Sequence, residues 1–145
     1  MRLATIKYNN AEIAGIVTSK GVLPVAALNE AKGTSYKTDM MSLIQAGEIP
    51  AMTGWYNNSG KAELESMAGL VPSGQVVYAP LYRNPKRIFG IGLNYVDHAG
   101  DIGSAAPTGF PGSFFKMADT LVGPGDEIKL PKLKEAQKTT AEAEL

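Results

Sequence analysis

Two asparagines, Asn9 and Asn10, separate two runs that read as strands, and this break constrains the start of the chain more than any other feature. Asn tolerates left-handed backbone angles, so the pair predicts a tight turn. Before it, Ala4, Ile6 and Tyr8 alternate with polar neighbours, which is the period of a strand. After it, Ala11 to Thr18 carries Ile13, Ile16 and Val17 and reads as a second strand. Lys20-Gly21 supplies another turn, and Val22 to Val25 a third short strand. Pro24 has no amide hydrogen to donate to a neighbour, so it is expected to confine that strand to a sheet edge. The chain thus begins as a small antiparallel sheet.

Helical signals follow. Thr38-Asp39 can cap a helix, because a side-chain oxygen satisfies the free amides of the first turn. Met40, Leu43 and Ile44 then recur at i, i+3, i+4 spacing with Met41 beside them, and Gly47 and Pro50 are expected to end the helix. Ser59 to Met67 is a second, more polar candidate. Between Leu70 and Pro85 the residues Pro72, Gly74, Pro80 and Pro85 exclude a long helix, while Val76-Val77-Tyr78 allows a short extended piece. The domain boundary is placed here. Residues 1–70 form a small α+β domain, 71–85 a linker and 86–145 a second unit.

Within that second unit Arg87 to Ile91 reads as a strand. Ala105 to Gly112 is a Pro/Gly loop, and Phe114-Phe115-Lys116 resumes extended structure. Val122-Gly123-Pro124-Gly125-Asp126 predicts a type II turn, with Pro124 presetting one angle and Gly125 taking the positive φ that follows. Glu127 to Pro131 is expected to form a short strand. No internal repeat is visible.

Composition excludes several classes of function. Fourteen basic and fourteen acidic side chains cancel, so no global field recruits nucleic acid or an anionic membrane. No apolar run approaches the roughly 20 residues of a membrane span. The opening MRLATIKYNN lacks the apolar stretch of a signal peptide. There is no cysteine, hence no disulfide and no thiolate metal site. A cytoplasmic location is the expectation. Any bound metal must take oxygen ligands and at most one imidazole, which favours a hard cation.

That single imidazole is His98, in the stretch IGLNYVDHAGDIG. Asp101 lies three residues on, so a helical turn brings the two onto one face. A carboxylate beside imidazole fixes its tautomer and stabilises the protonated ring, as a general base requires. A surface histidine paired to a carboxylate gives the same pattern. Glu142 and Glu144 share a face if their segment is a strand, and two converging carboxylates attract a divalent cation. A solvated acidic tail is the alternative. Lys116, after two phenylalanines, can stabilise an oxyanion or simply extend its charge to water. The basic cluster Arg83, Lys86 and Arg87 can bind an anion or form a solvated face.

Three segments then occur in a telling order. RIFGIGLNYVDHAGDIG, FFKMADTLVGPGDEIKLP and EAEL resemble the fumarylacetoacetate hydrolase family over Lys86 to Leu145. The resemblance implies an α+β protein in which a small N-terminal domain precedes a mixed β-sheet roll, here incomplete. It also implies a homodimer and a bound Mg²⁺, Mn²⁺ or Ca²⁺. The chemistry implied is metal-dependent cleavage or rearrangement of a small oxo acid such as an acylpyruvate or oxaloacetate, without a nucleic-acid or membrane partner. By position His98 matches the family's catalytic histidine, and Asp101 its acidic partner, usually Glu. Lys116 matches the lysine that steadies negative charge, and Glu142 and Glu144 match the first two metal carboxylates. Thr140-Ala141 stand where many members carry an Asp-aromatic pair. The family continues well beyond these motifs and supplies a third metal carboxylate there, so the chain is expected to be an N-terminal part of a longer enzyme and inactive alone. A non-catalytic assembly module and a metal-free lyase using His98 are the rival expectations.

Overall fold

The computed structural model describes residues 1–130 and 132. It is α+β, with antiparallel sheets and short helices. Strands β1 (Leu3–Tyr8), β2 (Ala11–Val17), β3 (Gly21–Pro24) and β4 (Val71–Pro72) form one sheet in that order. Tyr8 pairs with Ala11 across Asn9 and Asn10, whose φ angles are 48° and 60°. Two successive positive φ values give the turn the twist that a two-residue hairpin needs.

The register sorts side chains onto two faces. Ile16 opposes Leu23, and Ala14 shares their face. Against it pack α1 (Val25–Lys32), α2 (Met40–Gln45) and α3 (Ile49–Trp55), burying Leu28, Leu43 and Met52 completely. On the other face Ile6, Val22 and Val71 form a smaller cluster with Val76 against it. A Cβ on Gly21 would lie 1.9 Å from the carbonyl oxygen of Val71, so the β3–β4 pairing requires glycine there.

Five expectations are corrected. β3 is not an edge strand, because β4 pairs with Gly21 and Val22. Pro24 is tolerated because it lies past the end of β4 and leads into α1. That helix was not foreseen, and Val25, read as the end of a strand, is its first residue. Pro24 offers no side-chain cap, so the start of α1 carries no polar signal. Pro50 does not end a helix. It sits in the first turn of α3, where a missing amide costs nothing. Residues 127–130 form no strand. Asp39 caps α2 as expected, its Oδ1 accepting from the Ser42 amide at 2.9 Å.

Ser59 to Met67, expected as one helix, is irregular. A π-helical turn (Tyr56–Gly60) leads into the single turn α4 (Lys61–Glu63) and then a 3₁₀ turn over Leu64–Ser66. After β4 the chain crosses the sheet, and residues 77–79 run antiparallel to β1. Lys7 N–H donates to Val77 O at 2.8 Å, and Ala79 N–H donates to Thr5 O at 2.9 Å.

Beyond them β5 (Ile88–Gly92) and β6 (Gly112–Lys116) pair as an antiparallel ribbon joined through α5 (Val96–Asp101). The expected type II turn is present. Asp126 N–H donates to Gly123 O at 3.0 Å, and Gly125 has φ 82°. The turn rests on the first sheet, with Lys7 Nζ 3.5 Å from Asp126 Oδ1 and Gly123 packed against Pro80.

Candidate active site

β5 is built for a close neighbour. Gly90 opposes Phe114, and a Cβ on Gly90 would come within 2.4 Å of the Phe114 ring. The ring therefore lies across the bare backbone of β5, covering a gap that a side chain would otherwise fill. Lys116, two residues on and so on the same face, places Nζ 5.7 Å from the Phe114 centroid. That cation–π contact holds the ammonium over the ribbon. On the opposite face Phe89 meets Phe115 edge to face at 5.5 Å.

β5 ends at a conformational outlier. Leu93 has φ 56°, a left-handed angle that a leucine rarely adopts. The chain turns there and enters α5. Ala99 is the buried residue of that helix. His98 beside it is half-buried, while Asp97 and Asp101 are exposed. His98 and Asp101 thus lie one turn apart on α5, the arrangement that their spacing predicted. Gly103, at φ 70°, ends the helix. Its amide donates to Gly100 O at 3.0 Å, and the Ser104 amide donates to Ala99 O at 2.8 Å. These two bonds form a Schellman closure, which explains one glycine of the IGLNYVDHAGDIG stretch.

The register separates Lys116 from this helix. Lys116 opposes Ile88 at the start of β5, whereas α5 follows the far end, where Gly92 opposes Gly112. Four residues of strand, roughly 13 Å, lie between the two ends. The ribbon alone does not bring Lys116 up to His98. Glu142 and Glu144 lie outside the described residues. Among the described residues no three His, Asp or Glu side chains cluster in a way that could hold a metal ion. The sequence carried no signal for the left-handed Leu93 or for the Phe114 ring over Gly90.

Comparison with known proteins defines the class. Residues 87–145 match the family model described as fumarylacetoacetate hydrolase C-terminal. They contain β5, α5 and β6, together with His98, Asp101, Lys116, Glu142 and Glu144, and they belong to the fumarylacetoacetate hydrolase family.

Among particular proteins, the chain is similar to the mitochondrial oxaloacetate tautomerase fahd2 of Xenopus laevis. The two are 32% identical over 106 residues, which is 73% of this chain and 30% of that protein. It is also 32% identical over 82 residues to oxaloacetate tautomerase FAHD2A, mitochondrial, of Homo sapiens, covering 57% of this chain and 25% of that protein. A match at 34% over 68 residues to Fahd2a of Rattus norvegicus covers 47% of the chain and 21% of that protein. The chain therefore spans less than a third of the length of these relatives. No described helix is long and apolar enough to cross a membrane.

Proposed function

We propose that this chain is the N-terminal part of a divalent-metal-dependent enzyme that rearranges a small oxo acid, with keto–enol tautomerisation of an oxaloacetate-like substrate as the first choice. One observation carries this reading: α5, inside the family-matched segment, presents His98 and Asp101 on a single turn. Tautomerisation moves one proton. A C–H bond next to the oxo group breaks, and an O–H bond forms on the oxo oxygen, with no change of oxidation state. His98 carries that proton as general base and then as general acid. Asp101 orients the ring and stabilises its protonated form. Lys116 steadies the negative charge on the enolate oxygen, and the segment 94–112 closes over the substrate to carry His98 toward Lys116. Decarboxylation and cleavage break a C–C bond instead of a C–H bond, releasing CO₂ or an acyl group and leaving a shorter enolate that the same residues would steady, and they remain within the proposal.

A cation such as Mg²⁺, Mn²⁺ or Ca²⁺ would supply Lewis acidity toward that enolate. Glu142 and Glu144 are the proposed ligands, with a third carboxylate from beyond this chain. The described residues neither supply nor exclude that site. A boundary near residues 71–85, a homodimer and a cytoplasmic location complete the proposal; the relatives' names are mitochondrial.

A second reading is favoured by the apolar surface of the ribbon. Phe89 is 59% and Phe115 69% exposed, which suits a module that acts by assembly. Denaturing intact-mass measurement followed by a Mg²⁺-dependent assay on oxaloacetate and acylpyruvates separates the two. Turnover abolished by EDTA in a protein much heavier than 15.3 kDa supports the enzyme. A folded, full-length protein without turnover or divalent binding supports the module. Turnover that survives EDTA points instead to a metal-free lyase.

A further inference from the structure

A cleft of about 390 Å³ lies between the β2–β3 turn and the π-helical turn, within the roughly 300–1,000 Å³ typical of small-molecule sites. None of its lining residues belongs to the family-matched segment. Val17 and Tyr56 give it apolar surface, and Arg2 and Lys61 bring positive charge. Glu65 also lines it, but its carboxylate is already engaged. Oε1 accepts from the Ser19 amide at 3.1 Å and from the Ser19 hydroxyl, and Oε2 lies 3.4 Å from Lys20 Nζ. Those contacts hold the Glu65 carboxyl below its ordinary range, the hydrogen bond from Ser19 being the largest cause. Among the described residues Arg2 and Lys61 have no carboxylate partner, so the cleft carries uncompensated positive charge.

The π turn makes this geometry possible. The Lys61 amide donates to Tyr56 O, an i→i+5 bond that closes the turn. On a regular α-helix of 3.6 residues per turn, positions five apart point roughly 140° away from one another. The extra residue of the π turn reduces that angle, and Tyr56 and Lys61 face one cleft. The turn is also locked by packing. Gly60 is buried, and a Cβ there would come within 2.7 Å of the Trp55 ring, so the backbone closes directly over the indole. Such π turns occur frequently at functional sites.

We infer that this cleft binds a small organic anion, with its carboxylate or phosphate between Arg2 and Lys61 and its apolar body against Tyr56 and Val17. The inference is independent of the oxo-acid chemistry proposed for α5.

Amide NMR titrations of the full chain with malonate and with inorganic phosphate test it, with sodium chloride at matched ionic strength as control. The inference expects saturable shifts confined to Arg2 and residues 17–19 and 56–65 with at least one of the two anions. Tighter binding of malonate would identify carboxylate as the preferred group, and tighter binding of phosphate would identify phosphate. The double substitution Arg2→Ala and Lys61→Ala, at exposed positions, should weaken the response by about tenfold or more. Deleting Asn58, which converts the π turn to α-helical spacing, should weaken it while Arg2 and Lys61 remain. Shifts that follow chloride, fail to saturate, or persist unchanged in the double variant overturn the inference.

Discussion

Arg83 grips Glu12 with two nitrogens. Nη2 lies 2.7 Å from Oε1, and Nε lies 3.0 Å from Oε2. Glu12 opposes Lys7 across the first hairpin, and Lys7 reaches Asp126 in the turn beyond β6. Four alternating charges therefore tie the segment before β5 and the turn after β6 to one edge of the N-terminal sheet. Both strands of the ribbon are thus tethered at the end where Ile88 opposes Lys116, while the end that carries α5 lies away from these ties.

The hydrogen bond from Arg83 is the main cause holding the Glu12 carboxyl below its ordinary value. A carboxylate lowered in the folded state stabilises the fold above its unfolded pKa, and loses that contribution as pH falls through the folded value. A double-mutant cycle of Glu12→Gln and Arg83→Ala should show coupling at pH 7 that fades below roughly pH 5. Coupling independent of pH would mean that the pair acts through packing rather than charge.

Asp39 makes a separate contribution through the α2 cap. Its carboxylate accepts from the Ser42 amide, and hydrogen bonding to Ser42 is the main cause lowering its pKa. Asp39→Ala should cost about 1 kcal/mol in chemical denaturation. The difference from wild type should shrink in acid, once the native Asp39 is itself protonated. A loss under about 0.3 kcal/mol would show that burial of Met40 and Leu43 alone holds the helix.

Gly90 connects the ribbon to the position of Lys116. Gly90→Val would place a branched side chain where the Phe114 ring lies. The ring should swing away, and Lys116 should lose its aromatic contact. In NMR spectra the upfield ring-current shift of the Lys116 ε-protons should then disappear. If that shift persists in Gly90→Val, the ring does not depend on the bare backbone at Gly90.

The N-terminal hairpin, the α2 cap and the Gly123–Asp126 turn were all legible, because each rests on local chemistry that a few residues declare. Asn9-Asn10, Asp39, and Pro124 with Gly125 carry their conformations in their own side chains or in the lack of one. The start of α1 was not legible, since Pro24 gives no capping signal and Val25 reads as β-forming. Pro50 was misread because proline stops a helix in its interior but starts one in its first turn. The shared turn of His98 and Asp101 followed from their spacing. The left-handed Leu93, the Phe114 ring over Gly90 and the π turn did not, because tertiary contacts rather than local preference hold them. The separation of Lys116 from α5 is a matter of strand register, which only the pairing reveals.

The central claim is that His98 moves the proton next to an oxo group, and one experiment addresses it directly. The full-length protein carrying this chain should be given oxaloacetate and Mg²⁺ in D₂O, and deuterium entry at the carbon beside the oxo group followed by NMR. The account predicts catalysed exchange that falls about 10²–10⁴-fold in His98→Ala, with divalent affinity nearly unchanged. Exchange that is equally fast in His98→Ala, or a variant that loses the metal along with activity, would contradict it.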